Sequence, residues 1–100
     1  MIYNKLVRDK IPEIIVQKGG KPVIHVANEE VYWQKLKEKL QEEVDEFMKD
    51  ENMEEIADIT EVLDAIVDYK KFNPVEVQQI KDKKAEERGR FNDRIILHES

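Results

Sequence analysis

Between residues 29 and 50 apolar side chains return every three or four positions, at Tyr32, Leu36, Leu40, Val44 and Phe47. That is the period of a helix with one buried stripe. A second run with the same period follows, its stripe made by Ile59, Val62, Leu63, Ile66 and Tyr69. Asn28, with Glu29 and Glu30 in the first turn, is suited to start the first helix, which runs to about Asp50. Asn52 and Glu55 have capping-box spacing for the second, which reaches about Lys71. Asn73-Pro74-Val75-Glu76 opens a further helix with a cap and a proline at its first position, and Gly89 stops it. Near the start, Asp9 is placed to cap a short helix through Ile11, Pro12, Ile14 and Ile15 that Gly19-Gly20 ends. Residues Val23 to Val26 are too few and too β-branched for a helix. They read as an extended segment, which the apolar run Ile95-Ile96-Leu97 can join as a short two-stranded ribbon. The pattern predicts an all-α fold of four to five helices in a single domain over residues 1–100, with the bundle completed by oligomerisation.

Composition supports that picture and narrows it. A chain of 100 residues buries only a modest share of its unfolded surface, so self-association helps it. Charged residues make up 40% of the chain and mean hydropathy is -0.71, yet the clear periodicity argues against disorder. With no cysteine, disulfide frameworks and zinc-thiolate sites are excluded. Without a long apolar segment, a cytoplasmic protein with no membrane partner is expected. The net charge of -6 is unevenly spread: residues 1 to 28 carry +3, residues 29 to 68 carry -11 and residues 69 to 100 carry +2. An acidic centre between basic ends suits a site that holds metal in the middle and grips phosphates from the sides, although such blocks also occur as solvated faces.

The acids of the centre are not all on the solvated faces. On a helical wheel Glu43 falls among Leu36, Leu40 and Phe47, Glu46 lies on the border of that stripe, and Glu42 points further toward solvent. On the next helix Glu55 falls among the apolar positions and Asp58 at their edge. Glu61 and Asp64 repeat the same spacing but fall on the far side, and so are the weaker pair. An isolated carboxylate moved out of water costs several kcal/mol, and clustered ones repel until some take up protons. A divalent cation removes both problems. Mg²⁺ accepts hard oxygen ligands and commonly completes its shell with water and substrate phosphates. The i,i+3 pairs Glu43/Glu46 and Glu55/Asp58 place four donors on facing helices, enough for one or two ions. The alternative from the same residues is structural: Glu43 pairs with Lys39 at i-4, and Glu55 serves only the capping box.

Other chemistry finds little support. His25 and His98 fall on or near extended segments and suit surface positions better than metal ligation. Trp33 fits a core or subunit contact. With glycine only at 19, 20 and 89 there is no phosphate loop of the Walker or dinucleotide type, and Ser100 is the sole serine.

The segment Glu42-Glu43-Val44-Asp45-Glu46 followed by Glu54-Glu55-Ile56-Ala57-Asp58 resembles the EExxE and ExxD motifs of the MazG-like, all-α nucleoside triphosphate pyrophosphohydrolases. The opening from Tyr3 to Pro12 resembles a subgroup of small phosphoribosyl-ATP pyrophosphohydrolase-like proteins. So does the ending Glu87-Arg88-Gly89-Arg90-Phe91 with Arg94-Ile95-Ile96-Leu97. The likeness covers nearly the whole chain. It implies Mg²⁺-dependent hydrolysis of a nucleoside triphosphate to the monophosphate and pyrophosphate, with Mn²⁺ as a possible substitute. On that resemblance Glu43, Glu46, Glu55 and Asp58 are the metal ligands, and Glu46 also steers the attacking water. Lys5, Arg8, Lys84, Arg88 and Arg94 are the candidates for gripping phosphates, arginine's fork suiting that role better than lysine. The resemblance further implies a homodimer or homotetramer, with no stable nucleic-acid partner. Two other functions stay open: a non-catalytic acidic helical interaction module, and the phosphoribosyl-ATP pyrophosphohydrolase of histidine biosynthesis.

Overall fold

The computed structural model describes residues 4–100 and is all-helical. Tyr3 of the opening motif lies outside the described residues. Four helices follow in order: α1 Ile11–Gln17, α2 Glu29–Asp50, α3 Met53–Tyr69 and α4 Pro74–Arg88. The three long helices are capped as the sequence predicts. The Asn28 side chain accepts from Val31 N–H, Asn52 from Glu55 N–H, and Asn73 from Val75 and Glu76 N–H. Pro74 opens α4, and Gly89, at φ 80°, closes it.

Helix α1 departs from expectation at its start. Lys10, not Asp9, is the N-cap residue, and no side chain caps the helix. The Ile11 N–H instead donates to the Arg8 carbonyl at 3.0 Å, a tight turn that satisfies the helix end from the backbone.

Helices α2 and α3 form an antiparallel hairpin around the short link through Glu51, which takes the left-handed conformation at φ 48° and ends α2. Tyr69, the last residue of α3, reaches back to the start of α2. Its ring stacks on Trp33 with centroids 5.2 Å apart and meets Tyr32 edge-on at 5.6 Å. The core lies between the two helices and is thin: Leu36 is 1% exposed and Val62 8%. Leu63, expected on the buried stripe, is 43% exposed because its position is rotated onto the side of the hairpin. Helix α4 is not packed along either α2 or α3, and the molecule extends over 56 × 31 × 24 Å. Its radius of gyration, 17.8 Å, exceeds the roughly 13 Å of a compact domain of this length.

The expected ribbon does not form: there is no strand among the described residues. Val23 is fully exposed and Ile96 is 74% exposed, so neither run has a surface to pack on. An isolated two-stranded ribbon is at best marginal in water for that reason. No helix among the described residues is long and apolar enough to cross a membrane.

The two flanks of the hairpin differ in chemistry. Taking Leu36 and Val62 as the directions in which the helices face each other, Leu40, Val44 and Met48 rotate to one side by about 40, 80 and 120°. Leu63 and Ile56 rotate by about 100 and 120° in the same sense on α3, which brings them to the same flank because the helices are antiparallel. Lys39, Glu46 and Glu42 on α2, with Asp58 and Glu61 on α3, take the opposite rotation. One flank is apolar and open, the other acidic and covered by residues 4–9.

Candidate metal centre

The acidic flank grows out of one buried carboxylate. Glu43 sits about two turns beyond Leu36 and is only 8% exposed, a level at which acids are rare unless paired. Oxygens of Glu43, Glu55 and Asp58 lie within 4.8 Å of one another, and so do those of Glu46, Asp50 and Glu55. The structure thus brings all four of the expected ligands into one cluster, with Glu55 common to both groups. Asp50 is an addition that the motif does not contain. The signal for it was present in the sequence, since Asp50 stands four residues after Glu46 on the same side of α2.

Three carboxylates at this spacing raise the energy of the ionised state. Partial loss of hydration, then the negative charges of Asp58, Glu43, Glu46 and Asp50, push the Glu55 pKa above its ordinary value. A carboxyl raised in the folded state is under a penalty when ionised. The penalty is complete at neutral pH, fades as pH falls through the raised folded value, and is gone below the unfolded value. The metal-free Glu55→Gln protein is therefore expected to melt above the wild type at neutral pH, with the gap closing on acidification through the carboxylate range. Melting curves at a series of pH values check this, and a gap that did not change with pH would refute it.

Cations from elsewhere in the chain meet these acids. Lys39 Nζ is 3.2 Å from Glu43 and 3.6 Å from Glu42, so the structural pairing open from the sequence is also made. Arg8 donates to Asp58 Oδ1 at 2.9 Å and stands 3.9 Å from Glu61, while Lys5 donates to Glu42 at 3.0 Å. Of the two N-terminal candidates for phosphate binding, Arg8 thus lies against a carboxylate of the cluster and Lys5 against Glu42 beside it. Lys84 and Arg88 on α4, with Arg94 in the tail, are not brought to the cluster of the same chain. Asp64 is also apart, lining an open cleft of about 540 Å³ with Val67, Lys71, Phe72 and Val77 at the turn into α4. His25 and His98 join no group of possible ligands among the described residues.

The donor set suits a hard divalent cation. Oxygens sharing one octahedral Mg²⁺ shell stand about 3 to 4.2 Å apart, so a spacing within 4.8 Å closes by small rotations of flexible side chains. Nothing in the cluster offers nitrogen or sulfur, which argues against zinc or copper.

Comparison with known proteins adds a partial likeness. A protein of Mycolicibacterium smegmatis, described only as uncharacterized, is 50% identical over 42 residues, which are 42% of this chain and 43% of that protein. The match therefore covers less than half of either. No family model matches the chain, and no solved structure does.

Proposed function

We propose that the chain is a Mg²⁺-dependent nucleoside triphosphate pyrophosphohydrolase, releasing the monophosphate and pyrophosphate. The observation that carries this reading is the buried Glu43 held with Glu55 and Asp58 on facing helices, in the motif order described above. Divalent ions bound by these carboxylates would supply Lewis acidity and neutralise phosphate charge. The chain's own part follows from position. Glu43, Glu55 and Asp58 hold the centre, and Glu46 and Asp50, both exposed, extend it toward solvent. Glu46 is suited to accept a hydrogen bond from the attacking water and fix its direction. Lys5 and Arg8 stand beside the acids, where the charge of a triphosphate would arrive.

The same reading includes a second copy of the chain. Leu40, Val44, Met48, Ile56 and Leu63 make one apolar flank, and burying it against its two-fold mate turns two hairpins into a four-helix bundle. The acidic flanks then face outward. Lys84, Arg88 and Arg94 would reach a centre only across such an assembly.

The direct test is pyrophosphate release from a panel of canonical, deoxy and modified triphosphates, with and without Mg²⁺. A binding test stands beside it. An ion that binds only the folded protein adds about 2.7 kcal/mol at a hundred times its Kd, or roughly 10 to 20 °C in melting temperature for a chain this small. Mn²⁺ is expected to give such a shift, and Glu43→Gln to abolish most of it. The Glu43–Lys39 pair at 3.2 Å favours a second reading, an interaction module in which the acid is structural. That reading predicts a melting temperature indifferent to metal and a loss of stability in Glu43→Gln.

A further inference from the structure

Arg8 holds Asp58 in a bond that is short but exposed. The guanidinium lies 2.9 Å from Oδ1, with the two side chains 56% and 38% exposed. Exposed pairs of this kind contribute little and are readily exchanged. The Lys39–Glu43 pair differs, being formed within one helix and more sheltered.

The backbone that carries Arg8 is held while its exposed side chain has room to swing. Residues 4–9 form neither helix nor strand and lie across the acidic flank. Leu6 and Val7 are half-buried and Lys35 donates to the Asn4 carbonyl at 2.8 Å, so the middle and start of the segment stay attached. The Arg8 side chain is paired with two carboxylates, Asp58 and Glu61, while its backbone carbonyl accepts from Ile11 N–H in the turn into α1.

We propose that Arg8 is an exchangeable counter-ion of the centre. In the metal-free chain it neutralises Asp58; a divalent cation takes that carboxylate and releases the guanidinium, still tethered, toward an incoming phosphate. This rests on the metal reading of the carboxylate cluster. Its physical basis is charge: a guanidinium and a divalent cation repel each other when they share one carboxylate, and the cation binds the larger set of donors. Freed but anchored through Leu6 and Val7, Arg8 remains close to the centre and offers two parallel donors suited to a phosphate group. Metal loading then readies the substrate side of the site, and the empty site stays covered by its own cation.

Two measurements on the full chain test this. Calorimetric titration with Mg²⁺ is expected to show binding about three- to five-fold tighter in Arg8→Gln than in the wild type, the size expected for removing one exposed pair. Labelling with phenylglyoxal, read peptide by peptide, is expected to show Arg8 several-fold more reactive at saturating Mg²⁺, with Arg90 unchanged. The Asp58→Asn chain, in which Arg8 has lost its 2.9 Å partner and keeps only Glu61 at 3.9 Å, gives the reference level without metal. If the wild type binds Mg²⁺ while Arg8 reactivity stays at its metal-free level, cation and guanidinium sit together and the exchange is refuted. Equal affinity in Arg8→Gln and wild type refutes it as well. Absence of Mg²⁺ binding in both proteins overturns the metal reading itself, and the exchange with it.

Discussion

Asp58→Asn is expected to abolish metal-dependent hydrolysis while the protein stays folded, and Asp64→Asn to leave turnover within a few-fold of the wild type. Asp58 sits with Glu43 and Glu55 in one group of oxygens, whereas Asp64 lines the cleft at the turn into α4. Replacing groups that merely support a metal ligand commonly lowers affinity or activity 10- to 100-fold, so losing a ligand should cost at least about 100-fold. The stability change is small by comparison. Asn removes an exposed pair with Arg8 and also one charge from a repelling group, opposing effects that keep the melting temperature within about 5 °C. Activity and melting measured on both variants decide the register. If Asp64→Asn were the inactive one, the second pair of the motif would be Glu61 and Asp64.

If the proposed two-fold bundle forms, Leu63→Glu is expected to give single chains and to lower the melting temperature by more than about 10 °C. Leu63 lies on the apolar flank, 43% exposed in the single chain. Burying a leucine fully contributes about 1.5 to 3 kcal/mol, and a two-fold interface counts it twice. Glutamate in its place would also bring a charge into the apolar contact. Light scattering on the purified variant gives the mass, and a wild-type chain that was already a stable monomer would remove the bundle from the reading. The thin core gives the reason to expect otherwise, since only Leu36 and Val62 among the described apolar residues are buried in the single chain.

The helices were legible because their signals are local. Three asparagine caps, a proline at the start of α4 and the stop at Gly89 act within a few residues of themselves, and all are found where the sequence places them. Glu43 was legible for a related reason: an acid at a buried angle of the wheel stands out against Leu36 and Phe47. What the wheel could not give is depth. It put Leu63 in the stripe although only the narrow line of contact between two helices is covered, and a lone hairpin leaves the shoulders bare. The ribbon failed because β-branched runs specify an extended backbone without specifying something to pack against. The placement of Arg8 was beyond any local rule, since its partners Asp58 and Glu61 lie about fifty residues away and only the folded hairpin sets them side by side. Asp50 was missed through reliance on a motif, although its spacing from Glu46 was in plain view.

The aromatic stack at the far end of the hairpin has an optical meaning. Trp33, the chain's one tryptophan, lies against Tyr69 with their planes 2° apart, and Lys70 Nζ is 4.3 Å from the indole ring centre. That environment exists only while the start of α2 and the end of α3 are together. It is also ten residues, or about 15 Å of helix, from Glu43. Indole emission therefore follows the zipping of the two helices and is insulated from events among the carboxylates, so unfolding and ion uptake can be watched in one cuvette without either masking the other.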